Sequence, residues 1–194
     1  MKSTKFEKAI KLIDQKNSED THKEYADGVE IPKELLYSKR MTEKLLQFKS
    51  DASEALQIAA RAQHICRWKI AREEYSNDKA GYLKWREALK KMHAEMTSDI
   101  LSGIGYDSEF IDRVSFLIQK KLIKKDEGTQ TLEDVICLVF LEYYFEDFAA
   151  KHNDNKIVDI IKKTWKKMSD KGHEAAIKIN YSKKSLSLIQ KAIA

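Results

Sequence analysis

The stretch from Val135 to Phe148 is apolar almost all the way round a helix, and this limits what the rest of the chain can do. A helix with no polar face has to sit inside other elements, so the remaining helices are expected to wrap around it. Thr131-Leu-Glu-Asp134 supplies its start, with Thr131 as the expected N-cap. Only six Gly and one Pro punctuate the 194 residues, too few for the turns of an all-β fold. At 42% hydrophobic, the chain is long enough to bury one sizeable core and short for two. The expectation is a single compact all-α domain over 1–194, in which helices and a long loop within 1–50 pack on a core formed by 51–194.

Helical periodicity runs through most of the sequence. Phe6, Ala9, Ile10 and Ile13 mark a first short helix, Asn17 to Pro32 has no apolar period and reads as a loop, and Lys33 to Phe48 reads as a helix. Asp51-Ala-Ser-Glu54 has capping-box character, and the helix after it is predicted to run to about Tyr75 with Leu56, Ala60, His64, Trp68 and Ala71 on one stripe. Tyr82 to Leu101 is expected to bury Trp85, Leu89, Met92, Met96 and Ile100, with His93 flanking that stripe and Gly103-Ile-Gly105 ending the helix. Phe110 to Leu122 follows. About Lys156 to Met168 and Ser185 to Ala192 close the domain, with Lys171-Gly-His-Glu174 between them.

Thirty-six basic against 31 acidic residues give a net charge of +5 but a mixed surface. This suits an anionic small molecule and does not point to a nucleic acid polymer. The longest apolar run, Val135 to Leu141, is far short of the roughly 20 residues that span a bilayer, and Met-Lys-Ser-Thr-Lys-Phe lacks the apolar centre of a signal peptide. No membrane association and a cytoplasmic location are expected. Cys66 and Cys137 lack metal-type spacing and read as reduced packing residues. Lys162, Lys163, Lys166 and Lys167 read as a solvated face, and His22, His152 and His173 as solvated side chains at loops and helix ends.

His64, His93 and Asp134 are different, because each falls on or beside an inward stripe, where an ionisable group is costly without a partner. Two imidazoles and a carboxylate are ordinary ligands for a divalent metal such as Mn, Fe, Zn or Mg, and a metal held this way generates a hydroxide that attacks phosphorus or carbonyl centres. The structural alternative makes Asp134 a helix-start carboxylate and the two histidines hydrogen-bonded core residues. Glu95 lies about 200 degrees round the helix from His93 and cannot share its pocket. Arg61 and Arg67 flank His64, and with Arg86 and Lys121 they are the expected groups for an anionic substrate. Glu142, caught inside the apolar run, is the expected general base or carboxylate behind the metal ligands, and His93 is expected either to hold metal or to activate water. Phosphate-binding Gly-rich loops, nucleophile elbows, His-Glu-x-x-His and Cys-x-x-Cys are all missing.

Five blocks carry a resemblance: Asp51-Ala-Ser-Glu-Ala-Leu, Arg61-Ala-Gln-His-Ile-Cys-Arg-Trp68, Ala80-Gly-Tyr-Leu-Lys-Trp-Arg86, Leu132-Glu-Asp-Val-Ile-Cys-Leu-Val-Phe-Leu-Glu142 and Lys163-Thr-Trp-Lys-Lys-Met168. Over nearly the whole chain they resemble the family catalogued as domain of unknown function forty-two-oh-two, which implies no reaction. More distantly, the chain is similar to the HD superfamily of helical metal-dependent phosphohydrolases, whose helices carry a His, a His-Asp dyad and a later Asp. His64 resembles the first His and Leu132-Glu-Asp134 the last segment. His93 either takes the place of the dyad His, with Ala94 where the Asp belongs, or its stretch through Tyr106 resembles the helix after the dyad. The resemblance implies an HD-like metal-assisted hydrolase of a phosphorylated small molecule or nucleotide. The alternative is a non-catalytic module that binds an anionic metabolite or a protein partner through the same basic pocket.

Overall fold

The computed structural model describes residues 4–193; Met1 to Ser3 and Ala194, the two ends of the expected domain, lie outside them. The chain folds into one compact all-α domain, in the order α1 (Thr4–Ser18), hairpin β1 (Lys23–Ala26) and β2 (Val29–Pro32), α2 (Lys33–Phe48), α3 (Glu54–Ala62), α4 (Lys79–Ile104), α5 (Ser108–Ile118), α6 (Glu127–Val139), α7 (Phe145–Ala150), α8 (Asp154–Lys167), α9 (Asp170–Ile177) and α10 (Lys183–Ile193). No described helix is long and apolar enough to cross a membrane.

The all-round apolar helix is central, as its composition requires. One side of α6 sends Leu132, Val135 and Val139 into a core with Phe6 and Ile13 of α1, Met41 and Leu45 of α2, Ile58 of α3 and Leu117 of α5. Its other side sends Cys137 and Leu138 into a second core, where Leu141 and Phe145 meet Ile157 and Ile161 of α8 and Leu188 and Ile189 of α10. Each of these fully buried aliphatic side chains stabilises the fold by about 1.5–3 kcal/mol relative to exposure.

Five local expectations change. Thr131 is not the N-cap of the central helix: α6 begins at Glu127, and Asp126 caps it by accepting the Thr129 amide at 2.8 Å. The stretch from Asn17 to Pro32 is not all loop: Asp27 and Gly28 both have positive φ (52° and 77°), the conformation of a type I′ turn, and close a hairpin in which Lys23 pairs with Pro32. The helix expected to reach Tyr75 stops at Ala62, because Asn17 on α1, itself buried, takes the Cys66 amide on its Oδ1 (3.0 Å) and Cys66 turns left-handed (φ 51°). On α4 the buried stripe is Leu89, His93, Thr97 and Leu101, while Met92, Met96 and Ile100 are only half-buried; His93 is at the centre of the buried face and not beside it. Lys171 to Glu174 belongs to a helix, α9, whose N-cap Ser169 accepts the Gly172 amide at 3.1 Å.

Candidate functional site

The early end of α3 decides the site. Chain that would have continued a helix instead makes a tight turn, and His64, Ile65 and Arg67 fan out from it toward the start of α2 and the middle of α4. The His64 ring stacks on Tyr37, 4.0 Å between centroids and 11° from parallel, and lies 6.0 Å from the ring of His93. His64 Nδ1 sits 3.3 Å from Glu34 Oε2, and Arg67 Nη1 donates to His64 Nε2 at 3.5 Å. Arg67 Nε is 3.9 Å from the other Glu34 oxygen, and its guanidinium lies over the face of Trp85, 4.7 Å from the centroid. Trp85 is held in turn by donating its Nε1 proton to the Ile70 carbonyl at 3.0 Å.

Burial sets the charges here. Glu34 is 5% exposed, and desolvation pushes its carboxyl up to about 7 against the pull of Arg67 and Lys33. His64 is pushed well below the usual histidine range by burial and by Arg67. Burial, with Arg67, Arg86 and Lys120 nearby, takes His93 down to about 3, although its bond to the Ile65 carbonyl works the other way. That bond, 2.8 Å from His93 Nδ1, puts the ring proton on Nδ1, since a carbonyl oxygen only accepts. His93 Nε2 is then an acceptor, wholly buried and with no hydrogen-bond partner among the described residues, a condition that costs about 1–3 kcal/mol.

Lys120 completes the cluster. It follows the end of α5 in a left-handed conformation (φ 56°), and its buried ammonium pairs with Glu133 Oε2 at 2.8 Å. Burial alone would raise the Glu133 carboxyl, but Lys120 and Lys167 overcome it and hold the group below its ordinary value. Arg86 is half-buried two turns before His93 on the same face of α4, its charge is felt by His64, His93, Lys120 and Glu133, and it makes no ion pair among the described residues.

The residues singled out from the sequence divide. His64, His93, Arg67 and Arg86 come together. Arg61 does not join them: it is 8% exposed and gives Nε and Nη2 to the two Asp14 oxygens at 2.6 Å each, fastening α3 to α1. Asp134 is spent on α9, accepting the Ser169 amide at 2.8 Å and its hydroxyl at 2.6 Å, with Gln130 as a third donor at 3.1 Å. It lines a separate cleft of about 350 Å³ walled by Lys49, Lys124, Lys125 and Lys171. Glu142 escapes to the surface and pairs with Lys44, because Phe140–Tyr144 form a π-helical turn that rotates it away from the apolar stripe. Lys121 is exposed; its neighbour Lys120 takes the inward place. A groove of about 660 Å³ between α4 and α5, lined by Lys84, Glu95 and Ser115, holds none of these side chains.

Among the described residues no group of three or more His, Cys, Asp or Glu is placed to hold a metal ion. His64, His93 and Asp134 therefore do not assemble the ligand set expected of them. Glu34, Tyr37 and Lys120 were not singled out from the sequence. Glu34 reads there as an ordinary acid in the first turn of a helix, and Lys120 as one of four lysines in a charged exit.

Residues 7–189 match the profile of a family described as Domain of unknown function (DUF4202). No curated protein and no solved structure matches the chain.

Proposed function

The chain belongs to the DUF4202 family, whose description assigns no activity, and we propose from its site that it binds a phosphorylated small molecule, a nucleotide included, between Arg67, Arg86 and Lys120. One observation carries this reading: Arg86 is half-buried, near enough for its charge to weaken proton binding by both Arg67 and Lys120, and has no carboxylate of its own among the described residues. The two imidazoles at the centre stay neutral, and Glu34, the carboxyl that faces Arg67, is half-protonated around neutrality. Positive charge gathered in a partly desolvated place is relieved by an oxyanion, and planar guanidinium groups suit phosphate oxygens in particular. Two buried, unpaired cysteines accord with a reducing, cytoplasmic setting.

A second reading, hydrolysis of the bound ester, is favoured by the Glu34–His64 pair. A carboxyl near 7 placed 3.3 Å from an imidazole nitrogen is suited to moving a proton at neutral pH. Conversion of a bound phosphate ester by wild type and its loss in Glu34→Gln would favour catalysis over simple binding.

Thermal unfolding with inorganic phosphate and pyrophosphate tests the binding reading. Saturating anion, at about 100 times its Kd, stabilises the native state by roughly 2.7 kcal/mol. The melting temperature of wild type and of Arg61→Ala should rise, and that of Arg67→Ala and Arg86→Ala should not. An equal rise in all four proteins rejects the site.

A further inference from the structure

We infer that the ligand carries an uncharged hydroxyl close to its phosphate and that His93 Nε2 receives it, so that the site takes phosphate esters of polyols or sugars in preference to bare oxyanions. This rests on the anion-binding reading above. The argument is one of complementary donors and acceptors. Arg67, Arg86 and Lys120 offer only protons, which suits phosphate oxygens that offer only lone pairs. His93 Nε2 offers the reverse. It is a lone pair fixed in place, because Nδ1 is held by the Ile65 carbonyl at 2.8 Å, and the ring is wholly buried 6.0 Å from the ring of His64.

Among the described residues nothing satisfies that lone pair. Arg67 is engaged with His64, Glu34 and Trp85, and Lys120 with Glu133. A fully ionised phosphate has no proton to give it. An ammonium group on the ligand would meet three like charges, whereas a neutral hydroxyl meets none of that repulsion and supplies the missing donor. A ligand with a phosphate and a hydroxyl a few bonds apart matches both halves of the site together, and each half rejects a compound that lacks its counterpart.

Glycerol 3-phosphate and n-propyl phosphate differ in their hydroxyls and share the ester phosphate, so calorimetric titration of the full chain with each separates the two halves. Wild type should bind glycerol 3-phosphate at least about tenfold more tightly. His93→Leu should bring the two affinities within about twofold of each other. Since His93 is buried and the variant can fail to fold, a second measurement uses wild type alone: with nitrogen-15 histidine, the His93 Nε2 resonance should move on addition of glycerol 3-phosphate and stay put with n-propyl phosphate. Equal affinities in wild type, or an Nε2 resonance unmoved by glycerol 3-phosphate, overturn the inference and leave anion binding standing. Failure of both esters to bind overturns the anion-binding reading itself.

Discussion

Glu34 and His64 press against each other in opposite directions: burial discourages charge on both, which raises the carboxyl and lowers the imidazole. For Glu34 the folded state keeps its proton from 4.5 up to about 7, so its contribution to stability is complete below 4.5 and is lost as pH rises through about 7. His93 works the other way, its contribution being present above 6.5 and lost as pH falls toward about 3. Because the two overlap, the clean observable is a difference: relative to Glu34→Gln, wild type should lose on the order of 3 kcal/mol between these limits as pH rises. Urea unfolding at a series of pH values measures it, and parallel profiles for the two proteins would contradict the assignment. Arg61 and Arg67 looked equivalent in the sequence, six residues apart around the same His. Only their partners separate them, and the partners, Asp14 on α1 and Glu34 on α2, lie far upstream. Arg61→Ala should cost on the order of 3 kcal/mol by leaving Asp14 unpaired, with anion affinity unchanged. A loss of affinity without loss of stability would return Arg61 to the site.

The elements that could be read from the sequence are those whose stability is internal to them. The central helix is legible because residues apolar on every side have no other place to go, and α1, α2, α5 and α8 are legible from their stripes. The end of α3 was not, because the Asn17 side chain, arriving from 49 positions away, captures the Cys66 amide and overrides a helical pattern that continues beyond it. The same blindness hid the role of Asp134, whose partner Ser169 caps an eight-residue helix too short to announce itself. That contact is close: a Cβ on Gly172 would meet Asp134 Oδ1 at 2.6 Å. Gly172→Ala and Asp134→Ala should each destabilise by about 1–3 kcal/mol through loosening of α9. Neither should change phosphate affinity. If Asp134→Ala abolishes anion binding while stability holds, the carboxylate belongs with the histidines after all.

Across the whole molecule, α6 lends one face to each of two cores, and Phe48 is packed against both. Neither core closes without it, so the chain should unfold as one cooperative unit. The N-terminal helices are part of this, since Phe6, Ile13, Met41 and Leu45 sit in the same core as Leu117 and Leu132. Trp68 lies against the first core and Trp165 against the second. Their fluorescence and the helical circular dichroism should fall together in urea; two separated transitions would mean that the cores are independent. The fold class followed from patterning alone, but the site did not, because it is made where the helical pattern breaks and where α2, α4 and the end of α5 meet the turn after α3. The claim that this meeting point binds an anion is tested most directly by locating one. Crystals grown with selenate, a tetrahedral dianion whose anomalous scattering marks its position, should show a peak within hydrogen-bond reach of the Arg67 or Arg86 guanidinium. A peak confined to the lysine cleft beside Asp134, or none anywhere, would contradict it.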